Sequence, residues 1–205
     1  MNDRLSIPAL ANQIKGFSPS LGGVFGFSDL WNLLGHRSSD RVAKVANRLV
    51  REGLLFKIRR GVYATRDADT WILASRLKKN VYISMDSVLA RNGLIGTMPA
   101  RSVSAVYPGP PQTLRTPIAQ LRYFKIKKDL MFGTVGMANG VRVADNEKAF
   151  LDMLYYRSKG ARFVADPIKD VDQWKLDEKK IRRYLKAYKN PKFRKFVEGL
   201  LNGPK

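Results

Sequence analysis

Residues 38–64 read SSDRVAKVANRLVREGLLFKIRRGVYA, a cationic helix pattern followed at once by a cationic strand–turn–strand pattern. Ser38 or Ser39 is placed to cap a helix start, and Asp40 sets a negative charge at its positive end. Val42, Val45, Ala46, Leu49 and Val50 recur at three- and four-residue steps and form one apolar stripe. Arg41, Lys44, Arg48 and Arg51 recur at the same steps on a different face. Gly53 falls where a left-handed C-terminal residue ends a helix. Beyond it the period shortens to two: Phe56 and Ile58 alternate with Lys57 and Arg59, Gly61 marks a turn, and Val62, Tyr63 and Ala64 return. With Arg60 and Gly61 as a two-residue turn, Ile58 is expected opposite Tyr63.

Working back from this stretch, Leu30, Trp31, Leu33 and Leu34 make a second helix with Ser28 as its expected cap, joined by the turn at residues 35–38. Two helices across a tight Gly-containing turn, then a basic hairpin, are the layout of a winged helix-turn-helix. A helix over residues 40–52 is about 20 Å long at ~1.5 Å per residue and suits a major groove about 12 Å wide. Ser39, Arg41, Lys44, Arg48 and Arg51 are the expected helix contacts to duplex DNA, and Lys57, Arg59 and Arg60 the expected wing contacts to phosphate. The plainer alternative is a solvated basic face on a small helical domain.

Composition agrees with a polyanionic partner. Among 205 residues, 38 Lys and Arg oppose 17 Asp and Glu, a net charge of +21, which bears on partners and not on fold. Hydrophobic content of 44% suffices for a packed core. The chain has no cysteine, which excludes disulfides, thiol catalysis and cysteine-bound zinc. The N-terminal residues lack a signal-peptide core and no apolar run approaches ~18 residues, so a cytoplasmic protein without a membrane partner is expected.

Taken in order, residues 5–14 suggest a first helix with Pro8 in its opening turn, and residues 17–26 a Gly-, Ser- and Pro-rich loop holding a short strand at Val24 and Phe25. Residues 1–66 carry 11 Lys or Arg against 4 Asp or Glu and form the expected DNA-binding domain. Residues 67–205 form the expected second domain, of mixed α/β character, so the fold class is α+β. Within it Asp69 and Ser84 are expected to cap helices, the latter over residues 85–92 and closed by Gly93. Val103, Ala105 and Tyr107 alternate as a strand, residues 113–117 read as irregular, and residues 121–126 and 141–144 read as strands. Asp145 caps an apolar helix through Ala149, Phe150, Leu151, Met153 and Leu154. Two basic amphipathic helices close the chain, separated by Pro191, and residues 178–205 hold 10 cations against 2 acids. Lys179, Arg182, Arg183 and Lys186 are candidate secondary nucleic-acid contacts, against the alternative of a solvated helix back.

The segments Lys57-Ile58-Arg59-Arg60-Gly61-Val62-Tyr63, Tyr82-Ile83-Ser84-Met85-Asp86-Ser87-Val88-Leu89, Gly93-Leu94 and Arg142-Val143-Ala144-Asp145-Asn146-Glu147-Lys148-Ala149-Phe150-Leu151-Asp152 together resemble the AbiEi antitoxins, over roughly residues 20–156. The resemblance implies the antitoxin of a bacterial type IV toxin–antitoxin pair linked to abortive phage infection. It implies a winged helix that binds inverted repeats upstream of its own operon and represses it. It further implies a second domain that counters a nucleotidyltransferase toxin without a stable complex. It gives no catalytic residue, and no cofactor is expected.

Catalytic patterns are thin. His36 is the lone histidine and lies in a turn, without the oriented partner a general base needs. Asp166, Asp170 and Asp172 around Pro167 read as an acidic loop rather than a magnesium site. Asp145-Asn146-Glu147-Lys148 matches the acidic-x-Lys pattern of nucleases, and a helix cap explains it more simply. Tyr184 and Tyr188 beside arginines raise base stacking as an alternative to core packing. An RNA-binding module, a magnesium nuclease and a ligand-responsive regulator without a toxin are the competing readings.

Overall fold

The computed structural model describes residues 6–35, 38–96, 99 and 101–203. It divides into two compact units, one of Met1–Leu73 with Thr116–Ala119 and the other of Ala74–Arg115 with Gln120–Lys205. The architecture is mixed α+β with two separate sheets.

In the first unit, α1 spans Ile7–Leu21. Ser6 caps it by accepting from the Ala9 amide, and Pro8 sits in the first turn, where its missing N–H costs nothing. The strand expected at Val24 and Phe25 is present, but of the loop expected over residues 17–26, residues 17–21 are instead the end of this helix. Pro19 lies inside it close enough to the end that little of the hydrogen-bond ladder is lost, and the Ser20 hydroxyl donates to the Phe17 carbonyl. Gly22, at φ +58°, then ends the helix, with the Gly22 and Gly23 amides donating back to Pro19 and Ser18. Strand β1 is Val24–Gly26 and helix α2 is Phe27–Leu33. Ser28 is not the cap of α2. Gly26 holds that position, and its amide donates to the Asp29 carboxylate at 2.8 Å.

Helix α3, Ser39–Arg51, is capped by the Ser38 hydroxyl. Its end is a Schellman motif: Gly53 at φ +72° donates to Val50, and the Leu54 amide donates to Leu49 at 2.9 Å. Strands β2, Phe56–Arg59, and β3, Val62–Ala64, follow, and the sheet order is β1-β3-β2, antiparallel throughout. The hairpin turns at Arg60 and Gly61, yet Lys57 rather than Ile58 lies opposite Tyr63. An irregularity between Lys57 and Arg59 inserts one extra residue into β2, which shifts the register beyond the turn. Leu10, Ile14, Phe25, Leu30, Val42, Ala46, Leu49, Leu55 and Tyr63 share one core, so helices and hairpin are fixed to each other by burial. The chain beyond the hairpin stays tied to this unit: the Thr65 amide donates to Gly23 and the Asp69 amide to Gly22, both at 2.9 Å.

Helix α4 spans Thr70–Leu77, with Asp69 accepting from the Trp71 and Ile72 amides. In the second unit, β4 (Tyr82–Ile83) leads into α5 (Asp86–Arg91). Ser84 does not cap α5; it is fully buried and its hydroxyl is used elsewhere. Met85 takes the cap position at φ +56° with no side-chain bond, and Gly93 closes the helix. Strands β5 (Ser102–Tyr107), β6 (Gln112–Arg115), β7 (Gln120–Lys125), β8 (Thr134–Gly136) and β9 (Arg142–Ala144) complete a sheet of order β6-β7-β5-β4-β9-β8. The segment read as irregular from residue 113 is therefore strand β6, an exposed edge paired antiparallel with β7. Strand β5 is central, parallel to β7 and antiparallel to β4, and Val103 to Tyr107 are all buried, so both faces are covered.

Helix α6, Asn146–Arg157, starts at the Asp145 cap and is buried at every position over residues 147–156. Helices α7 (Glu178–Leu185) and α8 (Pro191–Asn202) are capped by Asp177 and Asn190, and bury Ile181, Leu185, Tyr188, Phe193 and Val197. Among the described residues no helix is long and apolar enough to cross a membrane.

Candidate nucleic-acid interface

At about 100° per residue, Arg41, Lys44, Arg48 and Arg51 occupy an arc of roughly 80° on α3, on the far side from Val42 and Ala46. Val42, Ala46 and Leu49 are buried, which fixes the rotation of the helix and turns that arc outward. Arg41, Lys44 and Arg51 are exposed and Arg48 is half-buried. Arg48 and Arg51 also lie in the last turn, where cations favour the helix dipole. Ser39 is exposed but sits about 160° around the axis from Arg41, so it is not brought together with the cations.

The hairpin adds Lys57, Arg59 and Arg60, all exposed. Gly61 at φ +74° supplies the turn, and the Phe27 amide donates to its carbonyl at 2.9 Å, which anchors the tip to α2. Among the described residues none of these seven cations of helix and hairpin has an ion-pair partner. Arg66, which the sequence reading did not single out, is exposed with its guanidinium 5.7 Å from the Phe56 ring centre, so it adds charge beside β2. His36 lies outside the described residues.

The second unit distributes its candidates differently. Lys179, Arg183 and Lys186 are exposed. Arg182 is engaged instead: Nε and Nη2 donate to the Glu178 carboxylate at 2.9 and 2.8 Å, and Nη2 donates to Asn202 at 2.6 Å. The tyrosines raised as stacking platforms are occupied too. Tyr184 donates to Asp145 at 2.7 Å, and Tyr188 is 1% exposed.

The acidic-x-Lys stretch resolves into separate structural duties. Asp145 accepts from the Lys148 amide as the α6 cap. Glu147 accepts from the Asp177 amide at 3.1 Å and pairs with Lys180 at 2.7 Å. Burial works to raise the Glu147 carboxyl, but those two donors outweigh it and hold the group below its usual range. Burial likewise works to lower Lys180, and the Glu147 and Asp145 carboxylates outweigh it and raise the amine. Asp166 and Asp170 close their own loop, since Asp170 accepts from the Asp166 amide and Asp166 from the Ile168 amide. Among the described residues no cluster of acidic or histidine side chains is arranged to hold a metal.

Lys148 itself turns into the core. Its Nζ pairs with Asp152 one turn along α6, and the Asp152 carboxylate accepts from Tyr82 at 2.9 Å and Ser84 at 2.8 Å. Lys148 also donates to the Tyr188 hydroxyl at 3.2 Å. Burial, and then the Asp152 charge, push the Tyr82 and Tyr188 hydroxyls well above their ordinary range. The signal for this cluster was present in the sequence: a Lys and an Asp four apart, interleaved with the apolar Ala149, Phe150, Leu151, Met153 and Leu154.

Fold and side chains together define a mixed α+β protein of two units, with a cationic face on the first that has no ion-pair partner among the described residues. No protein-family model matches the chain, and no curated protein matches it. Among solved structures, the crystal structure of the RV2827C protein from Mycobacterium tuberculosis is similar, with a TM-score of 0.61 and 14% identity, covering 96% of this chain and 78% of that one. At that identity the likeness establishes a shared fold.

Proposed function

We propose that the first unit is a winged helix-turn-helix that binds duplex DNA, and that the chain is a repressor of the AbiEi antitoxin type without enzymatic activity. The observation that carries this reading is the outward row of Arg41, Lys44, Arg48 and Arg51 on a helix whose opposite stripe is buried. The order α1-β1-α2-α3-β2-β3, with the basic hairpin following α3 directly and the sheet order β1-β3-β2, supports it. In this mechanism α3 enters the major groove, where its arginines meet base edges, and Lys57, Arg59 and Arg60 meet flanking phosphate.

The antitoxin part rests on the motif resemblance. The partner is a nucleotidyltransferase toxin encoded beside this gene, countered without a stable complex, and the DNA target is an inverted repeat upstream of the operon. Gel-shift titration against that upstream DNA at two salt concentrations tests the first part: preference over random duplex is the expected result. Co-expression with the neighbouring gene product tests the second, with restored growth expected. Equal affinity for upstream and random DNA would remove the repressor reading, and a neighbourhood without a nucleotidyltransferase would remove the antitoxin reading.

A further inference from the structure

The second unit gathers cations from two segments far apart in sequence. Helices α7 and α8 bury Ile181, Leu185, Tyr188 and Phe193, which leaves Lys186, Lys189 and Lys192 exposed around the turn between them. Lys189 Nζ approaches the Asp129 carboxylate at 4.0 Å, which brings the short 3-10 turn Lys128–Leu130 to that same place. Lys127 and Lys128 are exposed there. The Lys189–Asp129 pair is 87% and 76% exposed, so it is a weak, screened contact that does not fix the lysine against a stronger anion.

The chemistry of this patch is narrow. The five lysines are point charges on flexible stems suited to phosphate rather than to planar recognition, and the exposed Arg183, one turn before Lys186, adds its charge beside them. The neighbouring tyrosines are committed to Asp145 and to the buried Lys148–Asp152 cluster. Phe196, 39% exposed on α8, is a single ring and no platform for successive bases. Single-stranded RNA is gripped largely by stacking, whereas regularly spaced duplex phosphates are met by charge alone.

We propose that Lys127, Lys128, Lys186, Lys189 and Lys192 form a second, sequence-independent duplex-DNA surface that contacts phosphate. It rests on the reading that the protein binds duplex DNA. The test uses the full chain, K186Q/K189Q/K192Q and K127Q/K128Q, each titrated against the upstream fragment and a random duplex of equal length over a salt series. Each lysine lost lowers the salt slope by about one unit on both duplexes. The preference for upstream over random DNA stays unchanged, and thermal melting stays at the wild-type value because all five side chains are exposed. An unchanged slope with wild-type upstream binding intact overturns this surface alone, whereas absent duplex binding by the wild type overturns the function reading itself. Tighter binding to oligouridine than to random duplex, or binding to phosphatidylserine vesicles, lost in the triple variant in either case, overturns duplex DNA as the occupant.

Discussion

Lys148 and Asp152 face each other one turn apart on α6 with both side chains fully excluded from water. Such a pair persists because its polar atoms are met by partners: Asp152 accepts from Tyr82 and Ser84, and Lys148 donates to Tyr188 and lies 5.1 Å from the Phe132 ring centre. Removing one partner leaves a buried charge alone. Asp152→Ala is expected to cost about 3–5 kcal/mol. The double change Lys148→Met with Asp152→Leu is expected to cost less, because no charge is left buried, its remaining cost being set by the Tyr82, Ser84 and Tyr188 hydroxyls that lose Asp152. Denaturant midpoints of the three proteins check this, and an Asp152→Ala protein as stable as wild type would contradict it.

Two left-handed glycines separate backbone strain from crowding. Gly53 has φ +72° and open space where a Cβ would stand, so Gly53→Ala carries the conformational term alone, about 1–2 kcal/mol. Gly23 has φ +68°, and a Cβ there would lie 2.8 Å from the Ala68 Cα and closer still to the Thr65 hydroxyl. Backbone cannot swing aside as a flexible side chain does, and this is where the Thr65 and Asp69 amides anchor. Gly23→Ala is expected to cost roughly 2–5 kcal/mol, more than Gly53→Ala, by chemical denaturation followed through circular dichroism.

The elements around α3 were legible because each carried its own local signal. Ser38, Gly53 and Gly61 are residue types whose physics is confined to a turn, and the apolar stripe needs only a period. The misreadings share a different origin. Helix α1 continues through Pro19 since a proline near a helix end costs little, and nothing local distinguishes that from a loop. Ser28 and Ser84 have the right chemistry for a cap, but Gly26 takes the α2 cap through its local bond to Asp29, and the Ser84 hydroxyl goes to Asp152, a distant partner set by packing. The irregular register at Lys57–Arg59 leaves the alternation of exposed and half-buried residues intact, so the sequence pattern does not reveal it. The cationic arc of α3 was readable from spacing, as was the i,i+4 pairing of Arg182 with Glu178, whereas the bond from Arg182 to Asn202 lies 20 residues away and is set by the fold.

Acid sensitivity follows from Glu147. Its carboxyl is held below the usual range by Lys180 and the Asp177 amide despite burial, so the folded state binds the proton more weakly than the unfolded one. The stabilisation is therefore present above the unfolded value, near pH 4.3, and is lost as pH falls through the lower folded value. Wild type is expected to exceed Glu147→Gln in stability at neutral pH, and the gap is expected to close on acidification below about pH 4. Parallel urea titrations across that range check the sign; a gap that widens in acid would reverse the assignment.

The proposed division of labour in the first unit makes a sharper demand. Arg48 is half-buried in the cationic arc, so its side chain is partly steered by the helix surface before any DNA arrives. An arginine so placed that meets a guanine edge with two hydrogen bonds discriminates at one base pair; Arg48→Ala or Arg51→Ala is then expected to cost about 1–3 kcal/mol against the preferred base and far less against its replacements. Lys57 is exposed on the hairpin, where phosphate is the available partner. Lys57→Ala is expected to weaken every duplex by the same factor and to lower the salt slope by about one unit. Competition titrations with single-base substitutions of the upstream repeat separate the two behaviours. If the arginine and lysine variants lose affinity in the same proportion on every sequence, α3 is touching phosphate alone and base reading must lie elsewhere in the protein.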